Sequence, residues 1–272
     1  MVTSTRERRT AVRSPDGTHI GVSLQGAGPP LVLVEPAGHH RGFSAFGGLV
    51  PLLSSAFTVV TYDRRGRGES TDTAPYQVER EVEDLAVVLD AVGGAGDVHG
   101  ASSGALLAVQ AVVHGVPIRR LTLFEPPIDD DTEAQTAFTS SLRARLERYG
   151  NEAALAFFLA SIMPSEMVDG MRGGPEWEAM ARVAGTLVYD CTISTATDTA
   201  TLGKVDVPAL VLDSMGSTDD LTGMAATIAR HLPDAEHLSL PGGWHGVDDQ
   251  ALASAIRRFL SAGSATGSPP GP

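Results

Sequence analysis

The stretch from Asp97 to Ala108, Asp-Val-His-Gly-Ala-Ser-Ser-Gly-Ala-Leu-Leu-Ala, constrains the fold more than any other part of this chain. A stretch that reads as a short buried strand turns sharply at Gly100-Ala101-Ser102-Ser103-Gly104 and leaves as a helix of small and apolar residues. That is the strand, G-x-S-x-G, helix pattern in which a serine is presented at a strained turn. Glycines two before and two after the serine leave room where strand and helix pass too close for a Cβ. Shifting the frame to Ser103 puts Ala101 where the first glycine belongs, so the pattern centres on Ser102. Ser103 then opens the helix and offers its backbone N–H as a donor to an oxyanion. The competing reading of this stretch alone is a Gly/Ser turn in which Ser102 only caps a helix.

The flanking chain favours the first of these. Thr10 to Ser14 and Thr18 to Gln25 flank the turn Pro15-Asp16-Gly17 and predict a hairpin. Leu31-Val32-Leu33-Val34 is an unbroken apolar run of the kind buried on both faces in a parallel sheet, Leu121 to Phe124 is another buried strand, and Phe57 to Asp63, the strand before Ser102, Ala209 to Leu212 and His237 to Leu240 read as further strands. Helical spacing recurs between them, at Val78 to Val92, after the elbow, at Asp219 to Leu232 and at Gln250 to Leu260. Strands alternating with helices imply an α/β fold with a doubly wound, mostly parallel, eight-stranded sheet. From 128 to 202 the strand rhythm stops. Thr136 to Arg148, Glu152 to Ile162 and Glu176 to Tyr189 read as helices, so this segment is expected to be an inserted helical lid on a core of residues 1–127 and 203–262. Phe157, Phe158, Met163, Met167, Met171 and Trp177 are candidate pocket walls, with ordinary packing inside the lid as the plainer reading. The tail, 263–272, is Gly, Ser and Pro-rich and reads as disordered.

In such a sheet ligands collect beyond the carboxyl ends of the strands. Loops leaving those ends carry Glu35 to His40 after the third strand, Ser102 after the fifth, Glu125 after the sixth and His245 after the eighth. A serine hydroxyl is a weak nucleophile until an imidazole takes its proton and a carboxylate holds the imidazole tautomer. Serine, acid, histidine is also the order along the chain that this arrangement uses. His245, in Pro241-Gly242-Gly243-Trp244-His245-Gly246, is the expected base. Two acids compete. Asp219 sits in Gly216-Ser217-Thr218-Asp219 after the seventh strand, although an acid in a first helical turn is also favoured by the helix dipole. Glu125 ends the sixth strand beside the elbow and is followed by two prolines; Asp213 is a third choice. His39 borders the expected pocket as a candidate substrate contact. The loop from Asp63 to Ser70 carries three arginines, but it lacks a P-loop lysine pattern, and local pairing of Asp63 with those arginines is the preferred reading.

On these motifs the chain resembles the α/β-hydrolase superfamily over about residues 10 to 260, and Tyr62 to Ser70, the elbow, Glu125-Pro126-Pro127 and the His245 loop are similar to a bacterial branch of serine hydrolases. The resemblance implies the α/β-hydrolase fold, a catalytic triad and an oxyanion hole, with the acid after the seventh strand in most relatives and after the sixth in some. One departure matters: the loop after the third strand usually begins His-Gly, and here it begins Glu35-Pro36. Pro36 has no N–H, so Ala37 becomes the first oxyanion donor by position. A Glu35 carboxylate facing the oxyanion would raise the barrier unless it were protonated or turned away.

The expected activity is hydrolysis of a small, mainly apolar ester, thioester or lactone through an acyl-enzyme. Two alternatives stay open: a lyase, C–C hydrolase or cyclase step of small-molecule biosynthesis using Glu35 as an extra acid or base, and a non-catalytic small-molecule binding module. The net charge of −13 argues against nucleic acid or an anionic membrane as partner. One cysteine, Cys191, allows no internal disulfide, and no apolar leader or membrane-length run is present, so a cytoplasmic monomer or homodimer without metal or cofactor is expected.

Overall fold

The computed structural model describes residues 6–217 and 219–262, without the side chains of Asp219 and Asp220. The expected disordered tail, 263–272, lies outside the described residues. Strands β1 (Arg8–Arg13) and β2 (His19–Gly26) form the expected hairpin, with Gly17 at a positive φ of 93° and Asp16 accepting from the Thr18 N–H. The chain continues through β3 (Pro30–Val34), the short helix α1 (Leu49–Leu53), β4 (Thr58–Tyr62), α2 (Val78–Asp90), β5 (Gly96–Ala101), α3 (Ser103–Val113) and β6 (Ile118–Phe124). Six helices follow: α4 (Thr132–Tyr149), α5 (Asn151–Leu159), α6 (Ser165–Met171), α7 (Pro175–Arg182), α8 (Leu187–Ala196) and α9 (Thr199–Leu202). The core resumes with β7 (Ala209–Ser214), α10 (Asp219–His231) and β8 (Ala235–Leu240). A two-stranded ribbon, β9 (Gly242–Gly243) with β10 (Gly246–Val247), precedes α11 (Asp249–Ala262).

The eight strands of the main sheet stand in the order β1-β2-β4-β3-β5-β6-β7-β8. The pairs β1/β2 and β2/β4 are antiparallel, and every pair from β4 to β8 is parallel. Alternation along each strand divides the core. Val32 and Val34 pack with α2, α3 and α10, whereas Leu31 and Leu33 pack with α1 and α11 on the opposite face. Burial on both sides is why these strands read as unbroken apolar runs rather than as alternating ones.

The helices between β6 and β7 hold a separate apolar cluster in which Leu142, Leu155, Trp177 and Leu187 are buried, and against which Ala37 and Phe43 pack from the core. Trp177, Phe157, Phe158, Met163 and Met171 belong to that cluster, while Met167 is exposed. The helix expected over Glu176 to Tyr189 is broken in two. Val183 leaves helical geometry at φ −109° and ψ 7°, a 3₁₀ turn spans Ala184–Thr186, and α8 sets off afresh. No described helix is long and apolar enough to cross a membrane.

Candidate active site

Ser102 follows β5 and caps α3 with φ 51° and ψ −126°, a conformation that costs a non-glycine residue roughly 1–3 kcal/mol. Its N–H donates to the Phe124 carbonyl at 2.8 Å, pinning the turn to the neighbouring strand end. A Cβ on Gly100 would lie 2.5 Å from the Gly104 carbonyl oxygen, and one on Gly104 would lie 2.7 Å from the Glu35 carbonyl oxygen. Both glycines are therefore required by the close passage of α3 over β5 and β3.

The parallel register places Phe124 beside Ala101 and beside Leu212, so Glu125 emerges next to Ser102 on one side and β7 on the other. Glu125 is fully buried, has φ 42° and donates its N–H to the Leu212 carbonyl at 2.9 Å. Its Oε1 accepts from the Ser214 N–H at 2.8 Å and from the Ser217 hydroxyl at 2.5 Å. Its Oε2 is hydrogen-bonded to Nδ1 of His245. Burial opposes ionisation of this carboxyl, yet the bonds from His245, Ser217 and the Ser214 N–H outweigh it and hold Glu125 below the usual carboxylate range.

His245 lies in the tight turn between β9 and β10 at φ 48°. Its N–H donates to Ser217 Oγ at 3.0 Å, and Ser214 Oγ donates to the Gly243 carbonyl at 2.6 Å, so the turn is tied both to the end of β7 and to the loop that follows it. The ring packs against Trp244 and Phe124 with centroids 5.5 and 6.0 Å away. With Nδ1 engaged by a carboxylate, Nε2 is the ring nitrogen left for proton transfer. Among the described residues, Ser102, Glu125 and His245 are the non-glycine residues with positive φ.

The other candidates separate. Asp213 is paired with His237, Oδ2 to Nε2 at 2.8 Å. The Asp219 side chain lies outside the described residues, and its backbone opens α10. Ser103 is the first residue of α3, where an N–H has no partner within the helix. Its hydroxyl donates to Asp190 Oδ1 at 2.7 Å. Ala37 sits in a turn with Gly38 at φ 73°, held by Arg67 Nη1 donating to the carbonyls of Pro36 at 2.8 Å and His39 at 3.3 Å. The Glu35 carboxyl accepts from the Ser44 hydroxyl and, at 3.1 Å, from the Ala45 N–H, and burial pushes its pKa up to about 7. His39 Nδ1 donates to the Ala37 carbonyl at 2.9 Å, the direction fixed because a carbonyl has no proton to give. It stacks on Phe43, and burial lowers its pKa, with His245 among the charges that act on it.

A sequence profile described as "Alpha/beta hydrolase family" matches residues 26–255, most of the chain. The chain belongs to the alpha/beta hydrolase family. An alpha/beta hydrolase from Sphaerobacter thermophilus shares 38% identity and superposes with a TM-score of 0.85 over 92% of this chain and 100% of that one. A hydrolase from Pseudomonas aeruginosa matches at 23% identity and TM-score 0.76, over 93% and 98% of the two chains. The enol-lactonase from Burkholderia xenovorans matches at 19% identity and TM-score 0.74, over 93% and 100%. At those last two identities the likeness speaks for the fold alone.

In this α/β hydrolase the arginine loop after β4 corrects one sequence expectation. Asp63 binds Arg41 at 2.9 Å rather than the arginines of its own loop. Arg65 reaches Asp84 and Asp16, Arg64 reaches Glu81 and Asp190, and Arg67 reaches Asp190. Three adjacent guanidinium groups, all buried, need carboxylates delivered from several packed elements, which one short loop does not contain. Sequence reasoning also passed over Asp190 and Ser217. The one available signal for Asp190 was an acid set among apolar neighbours in Leu187-Val188-Tyr189-Asp190-Cys191.

Proposed function

We propose that the chain is a serine hydrolase acting on a small, mainly apolar ester, thioester or lactone beneath the helices of residues 128–202, which serve as a lid. Ser102 is the nucleophile, His245 the base and then the acid, and Glu125 the carboxylate that orients His245. The observation that carries the reading is the coincidence of strain with hydrogen bonding: Ser102, Glu125 and His245 are all held at positive φ, and the last two are bonded to each other. Strained backbone persists only where surrounding structure over-determines it, and it gathers at functional sites.

In the reaction, Ser102 Oγ attacks the carbonyl carbon as its proton passes to His245 Nε2. Glu125 stabilises the imidazolium through the Nδ1 proton. The oxyanion is held by the N–H groups of Ser103 and Ala37. His245 then protonates the leaving group, and a water activated by the same ring releases the acid from Ser102. Glu35, bound to Ser44 and Ala45, supports the alternative in which it supplies an extra acid or base less well than a free carboxylate would.

Intact-mass labelling with a fluorophosphonate tests this. One adduct on the wild type, absent from Ser102→Ala and strongly slowed in His245→Ala, is the expected result. A folded wild type that takes no adduct would overturn serine catalysis and shift the weight to a binding module.

A further inference from the structure

The elbow and the Ala37 loop are built from distant parts of the chain, yet one carboxylate bonds into the supports of both. Asp190, on α8 of the helical insertion, is fully buried. Its Oδ1 accepts from Ser103 Oγ at 2.7 Å and from Arg64 Nη1 at 2.6 Å, and its Oδ2 accepts from Arg67 Nη2 at 2.7 Å. Arg67 continues to the carbonyls of Pro36 and His39, on either side of Ala37. Arg64 completes a two-pronged pair with Glu81 of α2 at 2.7 and 2.8 Å.

We infer that Asp190 is a positioning residue of the oxyanion hole, fixing the N–H groups of Ser103 and Ala37 relative to one another through Ser103 Oγ and Arg67. The inference rests on the serine-hydrolase reading and extends it to a residue of the insertion. An oxyanion hole works only if its donors are already in place when charge develops, since donors that must reorganise return the energy they gain. Ser103 stands at the start of a helix and Ala37 in a loop, so neither is held by a strand ladder at that point. Asp190 supplies the missing constraint. Its negative charge does not oppose the oxyanion, because two buried guanidinium groups face it at hydrogen-bond distance. Burial opposes its ionisation, and Arg67, Arg64 and the Ser103 hydroxyl overcome this and hold the carboxyl below its usual range. The insertion is thereby a working part of the catalytic site as well as a cover over it.

The test compares wild type, Ser103→Ala and Asp190→Asn in steady-state hydrolysis of p-nitrophenyl acetate and in inhibition by phenylboronic acid. The boronic acid adds to a serine hydroxyl and places an oxygen where the oxyanion forms. Ser103→Ala keeps the Ser103 N–H and loses only the tether, so kcat is expected to fall about tenfold with KM changed by less than about twofold. Affinity for the boronic acid should weaken by a similar factor, and Asp190→Asn should move both quantities in the same direction. A purely structural role would lower melting temperature without that split. The inference falls if Ser103→Ala retains wild-type kcat, or loses kcat while binding the boronic acid as tightly as before. If Asp190→Asn does not fold, Ser103→Ala decides alone. A wild type that neither hydrolyses the ester nor takes a fluorophosphonate at Ser102 removes the underlying reading, and the inference with it; that outcome is distinct from failure of the tether alone.

Discussion

Glu125 holds three donors with two oxygens, and this crowding defines what a substitution there should do. Glu125→Gln preserves the shape but places an amide against His245 Nδ1 or Ser217, so the tautomer that leaves Nε2 free is no longer favoured. A fall in kcat on the order of 10³ to 10⁴ is expected, with the fold intact by circular dichroism. Ser217→Ala removes one bond to the carboxylate and the acceptor of the His245 N–H, and a loss of roughly tenfold in kcat should result. Glu35 offers a stability readout independent of catalysis. Its folded pKa of about 7 lies above its ordinary value of 4.5, so the folded chain keeps a proton that the unfolded chain has released. Stability from this group is fully present below about pH 4.5 and is lost as pH rises through about 7. Urea unfolding of wild type and Glu35→Gln at pH 5 and pH 8 measures it. The variant exchanges one of the two oxygens facing Ser44 and Ala45 for an amide NH2 at either pH, a constant offset, and the difference between the two proteins should shift in the variant's favour by on the order of 2–3 kcal/mol at the higher pH.

At the scale of elements, the strand–elbow–helix unit gives opposite signs for one kind of substitution. Gly104→Ala would drive a Cβ into the Val34 and Glu35 carbonyls, backbone atoms that cannot move aside without displacing β3. A destabilisation of about 3 kcal/mol or more is expected in denaturant unfolding. Gly223→Ala, in the body of α10 with nothing within 4 Å, should instead stabilise by about 0.5–1 kcal/mol, the ordinary gain of replacing glycine in a helix. The same contrast explains which elements could be read in advance. The elbow, the first hairpin and the apolar strands are dictated by local sterics and by which faces are buried. The break between α7 and α8 is not: Glu176 to Tyr189 carries a plausible helical rhythm, and the turn at Val183 to Thr186 answers to tertiary contacts, since the Thr186 hydroxyl accepts from Arg67 Nε at 3.0 Å.

Over the whole molecule the charge of −13 sets a field that disfavours anionic ligands. An ester bearing a second, free carboxylate should therefore gain in kcat/KM as ionic strength rises from about 20 to 200 mM, while a neutral ester should not, because salt screens the repulsion. What the sequence determined by itself were the features set by neighbours along the chain: the elbow at Ser102 with its two glycines, the strand and helix rhythm of an α/β sheet, the run of helices between the sixth and seventh strands, and His245 in its Gly-rich loop. The tertiary structure alone decided which acid meets His245. Glu125 stands 120 positions away from it, and only the order and register of β5, β6 and β7 and the ties of the His245 turn to Ser214 and Ser217 bring the two into contact. Asp190 is 87 positions from Ser103, and although an acid among apolar neighbours stands out, its partners could not be read for the same reason. Hydrogen bonds and ion pairs act over a few ångströms of space, and a chain read along its length carries no record of which distant groups folding will bring that close.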